Sequence, residues 1–204
     1  MTPDRLADLL GAVPIPTGSW TDTARYLARA TPPPPSPDIS EISVRSGGLL
    51  VISVTNPGEH VEQILTQGLP DLDTQEWPDH PLTWDNPGFV VRYAHARAMA
   101  VQRWADDLGV PWTGFRPEHL DGSHDRAILR VLAELPSRAA ARDHGWRAFA
   151  ERLALAYHDA HEHASAIPVG DQAPAPVHTA RRHLAAAVAA TLDAISANPL
   201  PDRL

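Results

Sequence analysis

The chain has 204 residues, 43% of them hydrophobic, with 25 acidic against 17 basic side chains and a formal net charge of −8. That suffices for one large or two small domains, and it excludes the broad basic field that grips nucleic acid non-specifically. There is no cysteine and every basic residue is arginine, which excludes disulfides, thiolate nucleophiles, the usual structural zinc sites, a P-loop lysine and a Schiff-base lysine.

Pro3 to Gly11, with Leu6, Leu9 and Leu10, predicts a short helix, and its Asp4, Arg5 and Asp8 occupy positions where a signal peptide needs an apolar core. With no run of eighteen apolar residues in the chain, a cytoplasmic protein without a membrane partner is expected. Pro14 to Gly18 reads as a proline-punctuated loop, and Thr21 to Ala30 as a second short helix capped by Ser19 or Thr21. Thr31 to Pro37 holds five prolines and predicts an extended, exposed connector. Ile42 and Val44, then Leu49 to Val54, flank Ser46-Gly47-Gly48 as a hairpin. Asn56-Pro57-Gly58 ends its second strand, and Glu59 to Gln67 continues as a helix. The expected order is helix, helix, strand, strand, helix: a small α+β unit over residues 1–70.

Residues 71–85, rich in proline and acids, predict a linker. Beyond it the pattern is helical. Pro87 to Leu108, closed by Gly109, carries Tyr93, Ala96, Ala100, Trp104 and Leu108 on what reads as its apolar face. A further helix is expected from about His124 to Leu135, then a short one from Pro136 through Arg142. Gly145 to Ala164 carries Phe149, Leu153, Ala156 and Tyr157, and Pro176 to Ala197 carries Leu184, Val188, Thr191 and Ile195. These helices must share a core, so residues 86–204 predict a bundle and the chain as a whole is expected to be mainly α. Charge is uneven. Residues 1–80 hold 11 acids and 4 arginines, whereas residues 81–204 hold 14 acids, 13 arginines and 9 of the 11 histidines. A polyanion contact therefore belongs to the rear half, as a local arginine face.

Tyr93 and Arg97, at i and i+4, share a face of the long helix, where a tyrosine can stack on an unpaired base and an arginine can reach a base edge or phosphate. By spacing alone the pair reads first as a core aromatic and a surface arginine. His158, Asp159, His161, Glu162 and His163 make a metal site conceivable, but they read as a solvated polar face, and no metal or cofactor is expected. Asp106 with Asp107, and Asp121 with Asp125, read as solvated acids rather than an acid–base pair, and Trp112, Phe115 and Trp146 as packing residues.

The wider pattern is more specific. Asn86-Pro87, a short apolar run and Tyr93-Ala94-His95-Ala96-Arg97 resemble the opening of the anticodon-binding (DALR) domain of arginyl-tRNA synthetases. Ile128 to Pro136 resembles that domain's "L-x-x-L-x-x-x-P" helix end, Leu153-Ala154-Leu155-Ala156-Tyr157-His158 its "L-A-x-x-F-H" segment, and Leu200-Pro201-Asp202-Arg203-Leu204 its "A-P-E-R-M" ending. More faintly, Asp38 to Val44 with Gly47 to Leu50 and the helix to Gly68 is similar to the end of the synthetase's N-terminal additional domain.

The resemblance implies a DALR-like helical bundle preceded by a small additional-domain-like unit. It also implies a tRNA partner, an arginine isoacceptor first, gripped by its anticodon arm. On that reading Tyr93 stacks on a loop base, with Phe89 beside it on the same helix. Arg97 contacts a base or phosphate, Arg92 and Arg103 position the backbone, and Leu204 supplies an apolar contact. Val90 stands where the family commonly has a second aromatic, and the Asp-Ala-Leu-Arg tetrad is missing, with Asp71-Leu72-Asp73 as a remnant of the following acidic stretch. No His-Ile-Gly-His element is present, and a lysine-containing K-M-S-K loop cannot exist without lysine. Arginine activation needs both, so no catalytic residues are expected. The expected role is non-catalytic: delivering tRNA to another tRNA-using enzyme, sequestering it or regulating its charging, with no DNA partner. The alternative is a protein-interaction module that keeps the fold without RNA.

Overall fold

The computed structural model describes residues 1–141 and 145–204. Among these residues it is a mixed α+β structure: one four-stranded antiparallel sheet and seven α-helices. Helix α1 (Pro3–Leu10) opens on Thr2, whose hydroxyl accepts from the Arg5 amide at 3.2 Å, and it buries Leu6. The sheet follows as β1 (Ile15–Thr17), β2 (Ala24–Arg29), β3 (Ile39–Arg45) and β4 (Leu49–Val54), in spatial order β1-β2-β4-β3. The hairpin at Gly47 and Gly48 forms as expected, and both glycines hold the positive φ that the turn requires.

Two expectations for this unit fail. Thr21 to Ala30 is not a helix but contains β2. Ala24, Tyr26 and Ala28 alternate inward while Arg25, Leu27 and Arg29 alternate outward, so the period of two, not the helix-favouring alanines, arginines and leucine, decides the conformation once β1 and β4 supply ladders on both sides. Pro14 to Gly18 is not all loop, because Ile15–Thr17 pairs with β2 as an edge strand, the one kind of strand that tolerates Pro16. The order is therefore helix, four strands, helix. Thr31 to Pro37 is without regular structure and mostly exposed, as the prolines predict.

Helix α2 (Glu59–Gln67) packs on the helical part, where His60 Nε2 lies 3.2 Å from the Leu132 carbonyl. Burial pushes the His60 imidazole below its ordinary pKa. The helical part comprises α3 (Pro87–Asp107), α4 (Ser123–Leu132), α5 (Leu135–Ala139), α6 (Trp146–His163) and α7 (Pro176–Ile195). Helices α3, α6 and α7 pack on one another, and α4 packs on α6. Phe149, Leu153, Leu184, Val188 and Leu192 form the centre of a core continuous with Tyr26, Ile52 and Val61 of the sheet unit. Helix α4 ends at Leu132, three residues before the expected end, and the expected run to Arg142 reaches outside the described residues. Trp146 is buried in the core as expected.

Polar links fasten α4 to its surroundings. Arg126 donates to the Asp22 carbonyl (2.9 Å) and Arg130 to the Gly18 carbonyl (3.0 Å), both in the loop that joins β1 to β2. Arg130, Arg138 and Arg152 converge on Glu134 at 2.6–2.7 Å. Burial alone would raise the Glu134 carboxyl, but the hydrogen bonds from Arg152, Arg138 and Arg130 together outweigh it and hold the group below its usual range. No helix among the described residues is long and apolar enough to cross a membrane.

Candidate nucleic-acid interface

Helix α3 presents the site, and its orientation corrects the expected face. The buried stripe runs through Val90, Val91, Ala94, Ala98, Val101 and Ala105. The stripe marked by Tyr93 and Trp104 lies roughly 100° around the helix. Of the expected face Ala96 and Ala100 are buried, but Trp104 is 42% exposed and Leu108 47%, so its large side chains lie at the surface rather than in the main core contact. The misreading has a physical origin: the core stripe is made of alanine and valine, which packs α3 closely against α6 and α7, while the large rings sit outside.

The segment before α3 is folded back over the helix start. Asn86 caps α3 by accepting from the Gly88 amide at 2.9 Å, and its Nδ2 donates to the carbonyls of Pro81 (2.7 Å) and Pro78 (3.1 Å). Gly88 permits this approach, since a Cβ there would lie 2.4 Å from the Pro78 carbonyl oxygen. Arg92 donates to the carbonyls of Pro78 (2.9 Å) and Asp79 (3.1 Å) and pairs with the Asp79 carboxylate at 3.2 Å. Its guanidinium is thus committed to the bridge. Further along, Trp77 Nε1 donates to Ser196 Oγ at 2.9 Å, and Gln75 exchanges backbone bonds with Ile195 and Ala197 past the end of α7.

This fastening brings Trp84 onto the outer face of α3. Its ring meets Tyr93 (5.2 Å between centroids, 75°), Phe89 (5.6 Å, 79°) and His158 of α6 (4.6 Å, 41°). Phe89 and Tyr93 lie 5.6 Å apart, and Tyr93 and His158 5.9 Å. The result is a cluster of four rings whose outermost member, Trp84, is 49% exposed. His158 Nδ1 is buried in it and finds no hydrogen-bond partner among the described residues. Val90, where the sequence suggested a lost stacking ring, is a core residue, and Trp84 stands beside Tyr93 instead.

Tyr93 also opens a cleft of about 250 Å³ between α3 and the C-terminal segment, lined by Ala96, Arg97, Ala100, Arg103, Asp202, Arg203 and Leu204. The C-terminal segment is held there by His95 Nδ1, 3.0 Å from the Pro201 carbonyl, and by Arg103, which donates to the Asp202 carbonyl at 3.2 Å. Arg97 arches over the Tyr93 ring, 4.8 Å from its centroid, donates to its hydroxyl, and pairs with Glu162 of α6 at 3.3 Å. Burial and the neighbouring Arg97 push His161 below its ordinary pKa.

Of the six residues singled out in the sequence, Tyr93, Arg97, Arg103 and Leu204 line this one cleft, Phe89 touches it through the ring cluster, and Arg92 is turned to the bridge. Trp84, Arg203 and Glu162 were not singled out for this site. Trp84 lies in an irregular segment where no periodicity places it, and only the Asn86–Gly88–Arg92 contacts do so. The cleft is smaller than the ~300–1,000 Å³ pockets that enclose a whole small molecule. An open apolar floor, a stacked tyrosine and three arginines against Asp202 and Glu162 suit one protruding part of a larger anionic molecule.

The chain is 37% identical to an arginine–tRNA ligase of Clavibacter sepedonicus over 111 residues. The match covers 52% of this chain but only 20% of that relative, so the chain spans about a fifth of the length of the protein it resembles. No protein-family model matches the chain, and no solved structure matches it at a significant level. The chain is thus related in part to arginyl-tRNA synthetases.

Proposed function

We propose that the cleft and ring cluster bind the anticodon arm of a tRNA, an arginine isoacceptor first, and that the chain does so without catalysing aminoacylation. The observation that carries this reading is the convergence of Tyr93, Arg97, Arg103 and Leu204 on a single cleft, in a chain partly similar to an arginine–tRNA ligase. An unpaired anticodon-loop base stacks on the Tyr93 face or on the exposed edge of Trp84. Arg97 swings from Glu162 to a base edge or phosphate, and Arg103 with Arg203 neutralises the adjoining backbone. Arg92 acts indirectly, by holding the bridge that carries Trp84. With no lysine in these 204 residues, this stretch supplies no K-M-S-K-type loop, and its role is binding: delivering, sequestering or regulating the tRNA.

A mobility-shift titration with total tRNA tests the reading. Binding is saturable and weakens with salt, and Tyr93→Ala combined with Arg97→Ala lowers affinity at least about tenfold, given the ~1–3 kcal/mol that stacking one base contributes. Absence of binding at low salt refutes it and leaves a protein-interaction module, the reading that the net charge of −8 favours.

A further inference from the structure

A second cluster on α6 plays no part in the cleft. Asp159 and His163, at i and i+4 in the last turns of α6, meet His124 in the first turn of α4, a residue 35 positions away in sequence from Asp159. His124 Nδ1 lies 2.9 Å from Asp159 Oδ2 and His163 Nδ1 lies 3.3 Å from Asp159 Oδ1. The two imidazoles stack at 5.0 Å with their planes 11° apart, and one ligand atom from each of the three residues falls within 4.8 Å of the others.

We propose that His124, Asp159 and His163 form a binding site for a zinc-class divalent ion, cross-linking the start of α4 to the end of α6. Two imidazole nitrogens and one carboxylate oxygen are the donor set of three-ligand zinc sites, in which water or an incoming oxygen ligand takes the fourth position. The nitrogen donors select zinc and its transition-metal neighbours over Mg²⁺ and Ca²⁺, which prefer all-oxygen shells. Without metal His124 Nδ1 bonds the Asp159 carboxylate, while His163 Nδ1 lies 2.9 Å from the Asp159 backbone carbonyl and 3.3 Å from the carboxylate. The ion binds the unprotonated nitrogen of each ring, and the three donor atoms move inward by small side-chain rotations to coordination distance. The side chains are 34%, 59% and 59% exposed, so the ion enters without opening the core. The neighbouring histidines of the 158–163 segment do not assemble such a site: His158 is held among Trp84 and Tyr93, and Glu162 is paired with Arg97. The site stands independently of the tRNA reading.

The test uses the full chain, stripped with chelator and dialysed, in calorimetric titrations with ZnCl₂ and MgCl₂ and in thermal melts. One equivalent of zinc binds and magnesium does not. Zinc at about one hundred times its dissociation constant raises the melting midpoint by roughly 5–10 °C. His124→Ala and Asp159→Asn, both at the surface, abolish the binding and the shift, whereas His119→Ala keeps them. Circular dichroism of the two variants shows that they remain folded. No heat at stoichiometric zinc, or zinc binding retained in folded His124→Ala, overturns the proposal.

Discussion

Glu162→Gln should strengthen tRNA binding. Arg97 is 31% exposed and lies 3.3 Å from Glu162, itself 47% exposed, so RNA must draw the guanidinium away from a carboxylate that also repels the incoming phosphate. Two unit charges near 4 Å attract by about 1 kcal/mol in water, and exposed pairs measured in proteins contribute ~0.2–1 kcal/mol. Relief of up to that amount makes binding roughly two- to fivefold tighter at low salt, with the gain shrinking as salt screens both interactions. The folded state loses no more than the pair contributed, so the melting midpoint falls by about 4 °C at most. Fluorescence anisotropy with an end-labelled tRNA at two salt concentrations measures the difference. Unchanged or weaker binding at low salt would show that Arg97 does not exchange its partner for RNA and would remove it from the interface.

Two further predictions concern the frame of the site. Gly88→Ala gains helix propensity but drives a Cβ to within 2.4 Å of the Pro78 carbonyl oxygen. Urea unfolding should therefore show a net loss of roughly 1–2 kcal/mol, and equal or greater stability would mean that the bridge is not seated on α3. Glu134, held below its usual pKa by Arg152, Arg138 and Arg130, stabilises the fold fully above the unfolded carboxyl's pKa and loses that contribution as pH falls through its lowered folded value. Stability of the parent protein should thus fall more steeply than that of Glu134→Gln between about pH 5 and pH 3, and parallel profiles would contradict the account.

Which parts of this structure were legible in the sequence follows from how local their causes are. Helices α2, α3, α6 and α7 and the β3–β4 hairpin follow from apolar period, capping residues and Gly47-Gly48. Strand β2 was hidden because Ala24 to Arg29 favours helix locally and becomes a strand only between two partners distant in the chain. The face of α3 was misjudged because large rings usually mark a core, whereas here Ala94, Ala98 and Ala105 do. Tyr93, Arg97, Arg103 and Leu204 line one cleft, while the commitment of Arg92 to Pro78 and Asp79 depends on a loop path with no periodic signature. Trp84, and His124 as a neighbour of Asp159 and His163, were invisible for the same reason: each is brought to its partners only by packing.

Whether the cleft reads an anticodon loop is tested directly by one comparison. Affinity is measured for an arginine tRNA transcript and for the same transcript with its anticodon loop replaced by a stable tetraloop, in identical salt. The replacement should weaken binding about tenfold or more, because the stacked base is lost while the helical phosphates remain. Equal affinity for the two transcripts would contradict that reading of the cleft.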